Sequence, residues 1–187
     1  VDMAGNEGTP VTIPDLSYDD SPPTFVVNYP ASNQFVNSME VDYVLSESFG
    51  NASVTWSRVG GNNDSSSPHD ITLTETERGE GDHPRGALAQ PAKLVDGAQY
   101  DIAFTGTDLA GNAADKVLLS GVTYDISPPA IAVSLPSSMS SINSGLMTYN
   151  LSEEMNEGKV VWTQVSGNAD GSSPHQILLT SSELAQG

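Results

Sequence analysis

The chain of 187 residues contains no cysteine. Disulfide staples and thiol nucleophiles are excluded with it, so rigidity must come from packing and hydrogen bonds. Basic residues are scarce: six lysines and arginines stand against 24 aspartates and glutamates, a formal charge of −18 at pH 7. So acidic a surface repels phosphate backbones and anionic headgroups, which argues against nucleic acid or a membrane surface as partner. It suits an extracellular protein or a binder of divalent cations. No apolar run approaches the roughly 18 residues that a membrane span needs, and no stretch keeps a helical period.

What the chain does contain is short runs in which apolar and polar residues alternate: "MEVDYVLS" at 39–46, "ASVTWSRV" at 52–59, "DITLTE" at 70–75 and "AQYDIAFTG" at 98–106. A period of two, β-branched and aromatic content, and Gly, Pro, Asn and Asp between the runs predict strands. The expected fold is all-β, an antiparallel sandwich of about seven strands.

The chain also repeats itself. "YDDSPP" at 18–23 returns as "YDISPP" at 124–129, 106 residues later. At that offset about 34 of the 81 overlapping positions are identical without a gap, among them "DMAGN" at 2–6 on "DLAGN" at 108–112, Trp56 on Trp162 and "SSPH" ending at His69 on "SSPH" ending at His175. A tandem repeat of about 106 residues is expected, the size of one compact domain. On that reading residues 21–126 are one complete unit, 1–20 the final strand of a preceding unit, and 127–187 the first part of a following one, as in a slice of a longer array. The partial unit is expected to leave Leu151, Val160 and Trp162 facing water, with neighbouring copies or repeats in a head-to-tail assembly supplying the missing surface.

Within the complete unit, Asp96, Ala98, Tyr100 and Ile102 have the spacing of a tyrosine corner, a tyrosine near the start of the sixth strand whose hydroxyl ties the preceding corner to the backbone. Trp56 stands where a core tryptophan of the third strand would be. Together these resemble the immunoglobulin and fibronectin type III superfamily in a cysteine-free form. With "TDLAGN" at 107–112 and "YDISPP" at 124–129, the chain more narrowly resembles the bacterial Ig-like repeats found in tandem in large secreted and surface-attached proteins. That resemblance implies tandem Ig-like sandwiches, an extracellular or cell-surface location, and a non-enzymatic structural role in an adhesin shaft or filament. A glycan- or protein-binding module and an accessory spacer of a secreted enzyme are the alternatives.

"DLAGN" is expected to be the turn between the sixth and seventh strands, with Gly111 supplying a positive φ and Asp108 and Asn112 bonding nearby backbone. In the expected topology that turn meets the start of the first strand and the second-to-third loop, which would gather Asp19 and Asp20, Glu47, and Asp108 with Asn112. Calcium accepts six to eight oxygen ligands with forgiving geometry, so this acidic loop cluster is a candidate junctional calcium site. Without a cation its carboxylates would repel one another by several kcal/mol, in order of magnitude. The corresponding residues of the next junction are Asp125, Glu153 and Glu154, with Asp96 approaching from the corner loop. The structural alternative needs no ligand: a turn that closes on itself, and acids that point apart.

"SSPH" with Asp64 before it invites comparison with a catalytic triad. Neighbours in one loop do not form the shaped pocket and oxyanion hole that nucleophilic catalysis requires, so a turn stiffened by Pro68 and capped by His69 is expected. The stretch "ERGEGDHPRGA" at 77–87 reads as a loop across one end of the sandwich. Asn51, Asn63 and Asn150 each open an N-x-Ser triplet, of the kind that serine- and asparagine-rich loops produce by chance.

Overall fold

The computed structural model describes residues 1–187. It is built of strands and turns, and no helix is long and apolar enough to cross a membrane. The chain divides into two compact units, Val1–Ile126 and Ser127–Gly187.

The first unit holds eight strands: β1 (Phe25–Tyr29), β2 (Phe35–Val36), β3 (Glu40–Leu45), β4 (Phe49–Gly61), β5 (His69–Thr72), β6 (Gly81–Ala87), β7 (Ala98–Asp108) and β8 (Val117–Tyr124). They form a three-stranded sheet in the order β1-β3-β6 and a five-stranded sheet in the order β2-β8-β7-β4-β5. Alternation decides which side chains go inside. Val41, Tyr43 and Leu45 of β3 are buried, as are Val54 and Trp56 of β4 and Tyr100, Ile102 and Phe104 of β7, and all belong to one core. The two sheets therefore close on a shared apolar interior in a β-sandwich-like arrangement. Aromatic rings fill its centre: Phe25 lies 4.6 Å from Phe49 and 5.9 Å from Phe104, centroid to centroid, and Trp56 meets the edge of Tyr100 at 6.0 Å.

Two expectations are corrected here. Residues 81–87 were expected to lie in a loop; they form β6, which pairs antiparallel with β3. Its composition hides this, because Pro84, two glycines and the three charged or histidine positions Asp82, His83 and Arg85 depress strand propensity. As the outer strand of its sheet it tolerates them: the β3 pairing skips between Val41 and Tyr43, beside Pro84, so the missing N–H breaks no regular ladder. The second correction concerns direction. The pairing is not purely antiparallel, since β2 runs parallel to β8 with Phe35 opposite Thr123 and Val36 opposite Tyr124. Residues 30–34 carry the chain from the β1 sheet to the outer edge of β8, where Asn33, at φ 61°, donates its N–H to the Ser120 carbonyl. No hairpin links β2 to β8, so nothing forces them to oppose.

In the first unit residues 1–20 form no strand, and Met3, Val11, Ile13 and Leu16 are exposed. At two corresponding positions the backbone is left-handed in both segments: Gly5 and Asp15 have φ of 89° and 57°, and Gly111 and Gly121 have φ of 99° and 71°.

The second unit has four strands, β9 (Ile131–Leu135), β10 (Thr148–Leu151), β11 (Lys159–Trp162) and β12 (His175–Leu178), paired as β9 with β10 and β11 with β12. Their registers are those of the first unit shifted by 106. Ile131 faces Leu151 as Phe25 faces Leu45, and Trp162 faces His175 as Trp56 faces His69. Leu151, expected to face water, is buried. The cause is the fold-back of the last residues: Leu151 and Gly187 exchange N–H···O bonds, and a side chain on Gly158 would collide with Leu184, itself buried. Val160 and Trp162 are only half-covered.

Trp56 is fully enclosed at the centre of the first unit. Replacing it by alanine is expected to cost about 3–5 kcal/mol, as other aromatic-to-alanine core changes do. Urea unfolding of the variant checks this, and a midpoint equal to that of the parent would remove Trp56 from the core.

Candidate functional site

The best-formed polar arrangement lies at one end of β7. The Asp64 carboxylate, buried in the loop between β4 and β5, lies 2.6 Å from His69 Nε2 and accepts the Tyr100 hydroxyl at 2.7 Å. The same hydroxyl accepts the Val95 N–H at 3.0 Å, which is the corner contact that the spacing of Asp96, Ala98 and Tyr100 predicts. Its second partner, Asp64, was not anticipated. The hydrogen bonds from His69 and Tyr100 hold the Asp64 carboxyl down at about 2. Burial, with the carboxylate beside it, pushes the Tyr100 hydroxyl up to about 12, so it remains a donor. Of the neighbouring serines, Ser66 bonds Asp64 through its backbone N–H, and the Ser67 hydroxyl accepts the Arg58 N–H. His69 does more than cap a turn, because through Asp64 it anchors the loop to β7.

At the other end of β7, the turn at 108–112 closes on itself as expected. Asp108 Oδ1 accepts the N–H groups of Gly111 and Asn112 at 2.6 and 2.8 Å, and its Oδ2 accepts the Asn112 amide at 2.8 Å. Asp2 and Asn6 build the same turn in an exposed setting, with Asp2 Oδ1 accepting the Ala4 and Asn6 N–H groups, both at 2.9 Å, and Oδ2 the Asn6 amide at 2.8 Å. The motif is thus locally self-sufficient.

The Asn112 amide also reaches the Asp19 carbonyl at 3.0 Å, tying the segment ahead of β1 to this turn. That tie brings three of the anticipated acids together: Asp19, exposed, Glu47, half-buried, and Asp108, buried, place carboxylate oxygens within 4.8 Å of one another. Burial, the Asp19 and Asp108 charges and that of Glu80 raise the Glu47 carboxyl. Burial would raise Asp108 too, but the hydrogen bonds from Asn112, Gly111 and Ala110 prevail and lower it. Ligand oxygens across a calcium ion stand about 4.6–5.2 Å apart, twice the usual bond length, so this spacing fits a hard cation.

The remaining anticipated residues are placed otherwise. Asp20 accepts the Tyr18 hydroxyl at 3.1 Å. Asp96, at the Tyr100 end, accepts the Ile126 N–H with its side chain and the Asn62 amide with its carbonyl, both at 2.8 Å. Asp125 donates its N–H to the Val36 carbonyl at 2.9 Å. In the second unit Glu153 is half-buried and Glu154 exposed.

Two residues escaped the sequence reading. Glu80 adds to the charge on Glu47. Glu77 closes the turn after β5: its carboxylate accepts the N–H and hydroxyl of Thr74 at 2.8 and 2.7 Å and the Ala89 N–H at 2.6 Å, and its carbonyl accepts the Tyr43 hydroxyl at 2.6 Å. A signal existed, the T-x-x-E spacing that recurs as Thr180 to Glu183, where the same Thr contacts form.

The Asp64 network generates a pH dependence. The folded-state pKa lies below the ordinary carboxylate value near 3.9, so the unfolded chain binds more protons as the pH falls. Its stabilisation is complete above about pH 4 and lost on the way down to about 2. Asp64→Asn is expected to cost about 1–3 kcal/mol at pH 7, because it weakens charge-assisted bonds to buried donors. Unfolding followed between pH 2 and 7 checks this, and the variant should lose part of the parent's acid-induced destabilisation. Compared with known protein families, with curated proteins and with solved structures, the chain matches none.

Proposed function

We propose that the chain is a structural segment of a long extracellular repeat protein, a shaft or filament of tandem Ig-like domains about 106 residues apart, with calcium stiffening the acidic end of each. The observation that carries this reading is the gap-free recurrence at offset 106, which spans turn, core and linker residues alike. A spacer gains reach with every copy, whereas an active site gains little from repetition. The tyrosine-corner contact of Tyr100 with Val95 supports the Ig-like assignment.

Calcium enters through electrostatics. Asp19, Glu47 and Asp108 converge although their charges oppose it, and a divalent ion turns that repulsion into attraction. Asp19 belongs to the segment ahead of β1, so an ion shared with Glu47 and Asp108 would fasten the linker to the domain it enters. Neighbouring repeats of the same protein are the partners this role requires, at the cell surface or outside the cell.

Calorimetric titration of the chain with millimolar calcium is expected to release or absorb heat, and to raise the melting temperature. Glu47→Gln should abolish both effects; a parent chain that responds to neither measurement has no such site. The shaft itself is tested on the complete coding sequence, which should contain many further units at this spacing. One to three units beside a catalytic domain would make the segment an accessory spacer instead.

A further inference from the structure

The segment Tyr-Asp-x-Ser-Pro-Pro occurs twice, at 18–23 and at 124–129. Hydrogen bonds alone tie both copies to the first unit. Where the chain enters that unit, the Asn112 amide donates to the Asp19 carbonyl at 3.0 Å. Asp19 Oδ1 accepts the Ser21 N–H at 3.0 Å, Pro22 and Pro23 fix φ, and the Thr24 N–H ends on the Ser46 hydroxyl at 2.9 Å. Pro23 is itself fully enclosed. Where the chain leaves, the two N–H groups after β8 are both taken: Asp125 donates to the Val36 carbonyl at 2.9 Å, and Ile126 to Asp96 Oδ1 at 2.8 Å. Asp96 is fixed in turn, since its carbonyl accepts the Asn62 amide at 2.8 Å and the neighbouring Gly97 N–H donates to the Tyr124 carbonyl at 2.8 Å.

Asp19 and Asp125 occupy the same position of the repeat. At that position the unit bonds a carbonyl where the chain enters and an N–H where it leaves. The two grips therefore use different atoms of one residue and do not compete. The prolines that follow add stiffness, because consecutive prolines hold an extended backbone and have no N–H to leave unpaired.

We propose that Tyr-Asp-x-Ser-Pro-Pro is a hydrogen-bonded clamp that keeps its direction without an ion. In a tandem array its aspartate is held through the N–H by the domain it leaves and through the carbonyl by the domain it enters, with Asp96 and Asn112 as the positioning residues. The array rests on the reading of the chain as a shaft, whereas both grips belong to one unit. The Asn112 bond joins a neutral amide to a backbone carbonyl, so it holds whether or not the nearby carboxylates are neutralised. It is also what carries Asp19 towards Glu47 and Asp108 against their charge. Calcium at those acids then adds to a joint that is already set.

The test is backbone amide NMR relaxation on the full chain in EDTA, with β7 as the internal reference. The amides of Asp19, Ser21, Asp125 and Ile126 should give order parameters near the rigid-backbone value of about 0.85. Asn112→Ala should lower Asp19 and Ser21 below about 0.6, the flexible range, and leave Asp125 and Ile126 unchanged. Asp96→Ala should lower Ile126 and leave Asp19 and Ser21 unchanged, and Asp96→Asn, whose amide oxygen still accepts, should restore it. The measurement on the parent chain needs no variant, so the proposal does not depend on how any variant folds. Linker amides below about 0.6 in the parent chain, order that appears only when calcium is added, or variants that leave their own segment rigid would each overturn the clamp. Rigid linkers in a chain that gives no heat with calcium would support the clamp and remove the ion.

Discussion

A buried carboxylate is the point on which the first unit turns. Asp64 sits where water is scarce, and a lone charge there would be costly. It is tolerated because His69 and Tyr100 bond it from two sides, and Tyr100 in turn accepts the Val95 N–H. One anion thereby ties the loop after β4, the start of β5, the strand β7 and the corner that precedes it. Trp56 packs against the same tyrosine ring, so apolar and polar constraints converge on Tyr100. Without cysteine in the chain, this network does the cross-linking that a disulfide performs in other sandwiches.

The two ends of β7 contrast. At the Tyr100 end the charge is satisfied and its carboxyl is held low. At the Asp108 end carboxylates gather, and burial first, then the neighbouring acids, raises the Glu47 carboxyl. Hydrogen bonds within the turn relieve Asp108 but not Glu47, whose neighbours are further acids.

Local and non-local order separate cleanly in this chain. The turns at 2–6 and 108–112 share the bonds from the Asn6 or Asn112 N–H and amide to the opening aspartate, although the first is exposed and the second borders a core. The Asp-His loops at 64–69 and 170–175 agree to the same distance, although only the first meets a tyrosine. Side-chain-to-backbone bonds over a few residues suffice to define them. The sheets depend on distant partners: 117–124 form β8 beside β7, while the equivalent residues 11–18 form no strand.

That division separates what consecutive residues record from what they do not. Period-two alternation located β3, β4, β5 and β7 and the buried faces of Trp56, Tyr100 and Val54, because alternation is a property of consecutive residues. The Asp108 turn and the corner role of Tyr100 were legible for the same reason, their chemistry being local. Tertiary structure alone decided the rest. β6 is a strand because β3 offers it an edge, and its own residues give no such signal. β2 runs parallel to β8 because the chain crosses between sheets at 30–34. Leu151 is covered because Gly187 returns to it. The Tyr100 hydroxyl finds Asp64 across 36 positions of sequence, and Asp19 reaches Asp108 only because Asn112 holds its carbonyl. Contacts between residues far apart in the chain are fixed by how strands stack and cross, and neither a spacing nor a period in the sequence records that.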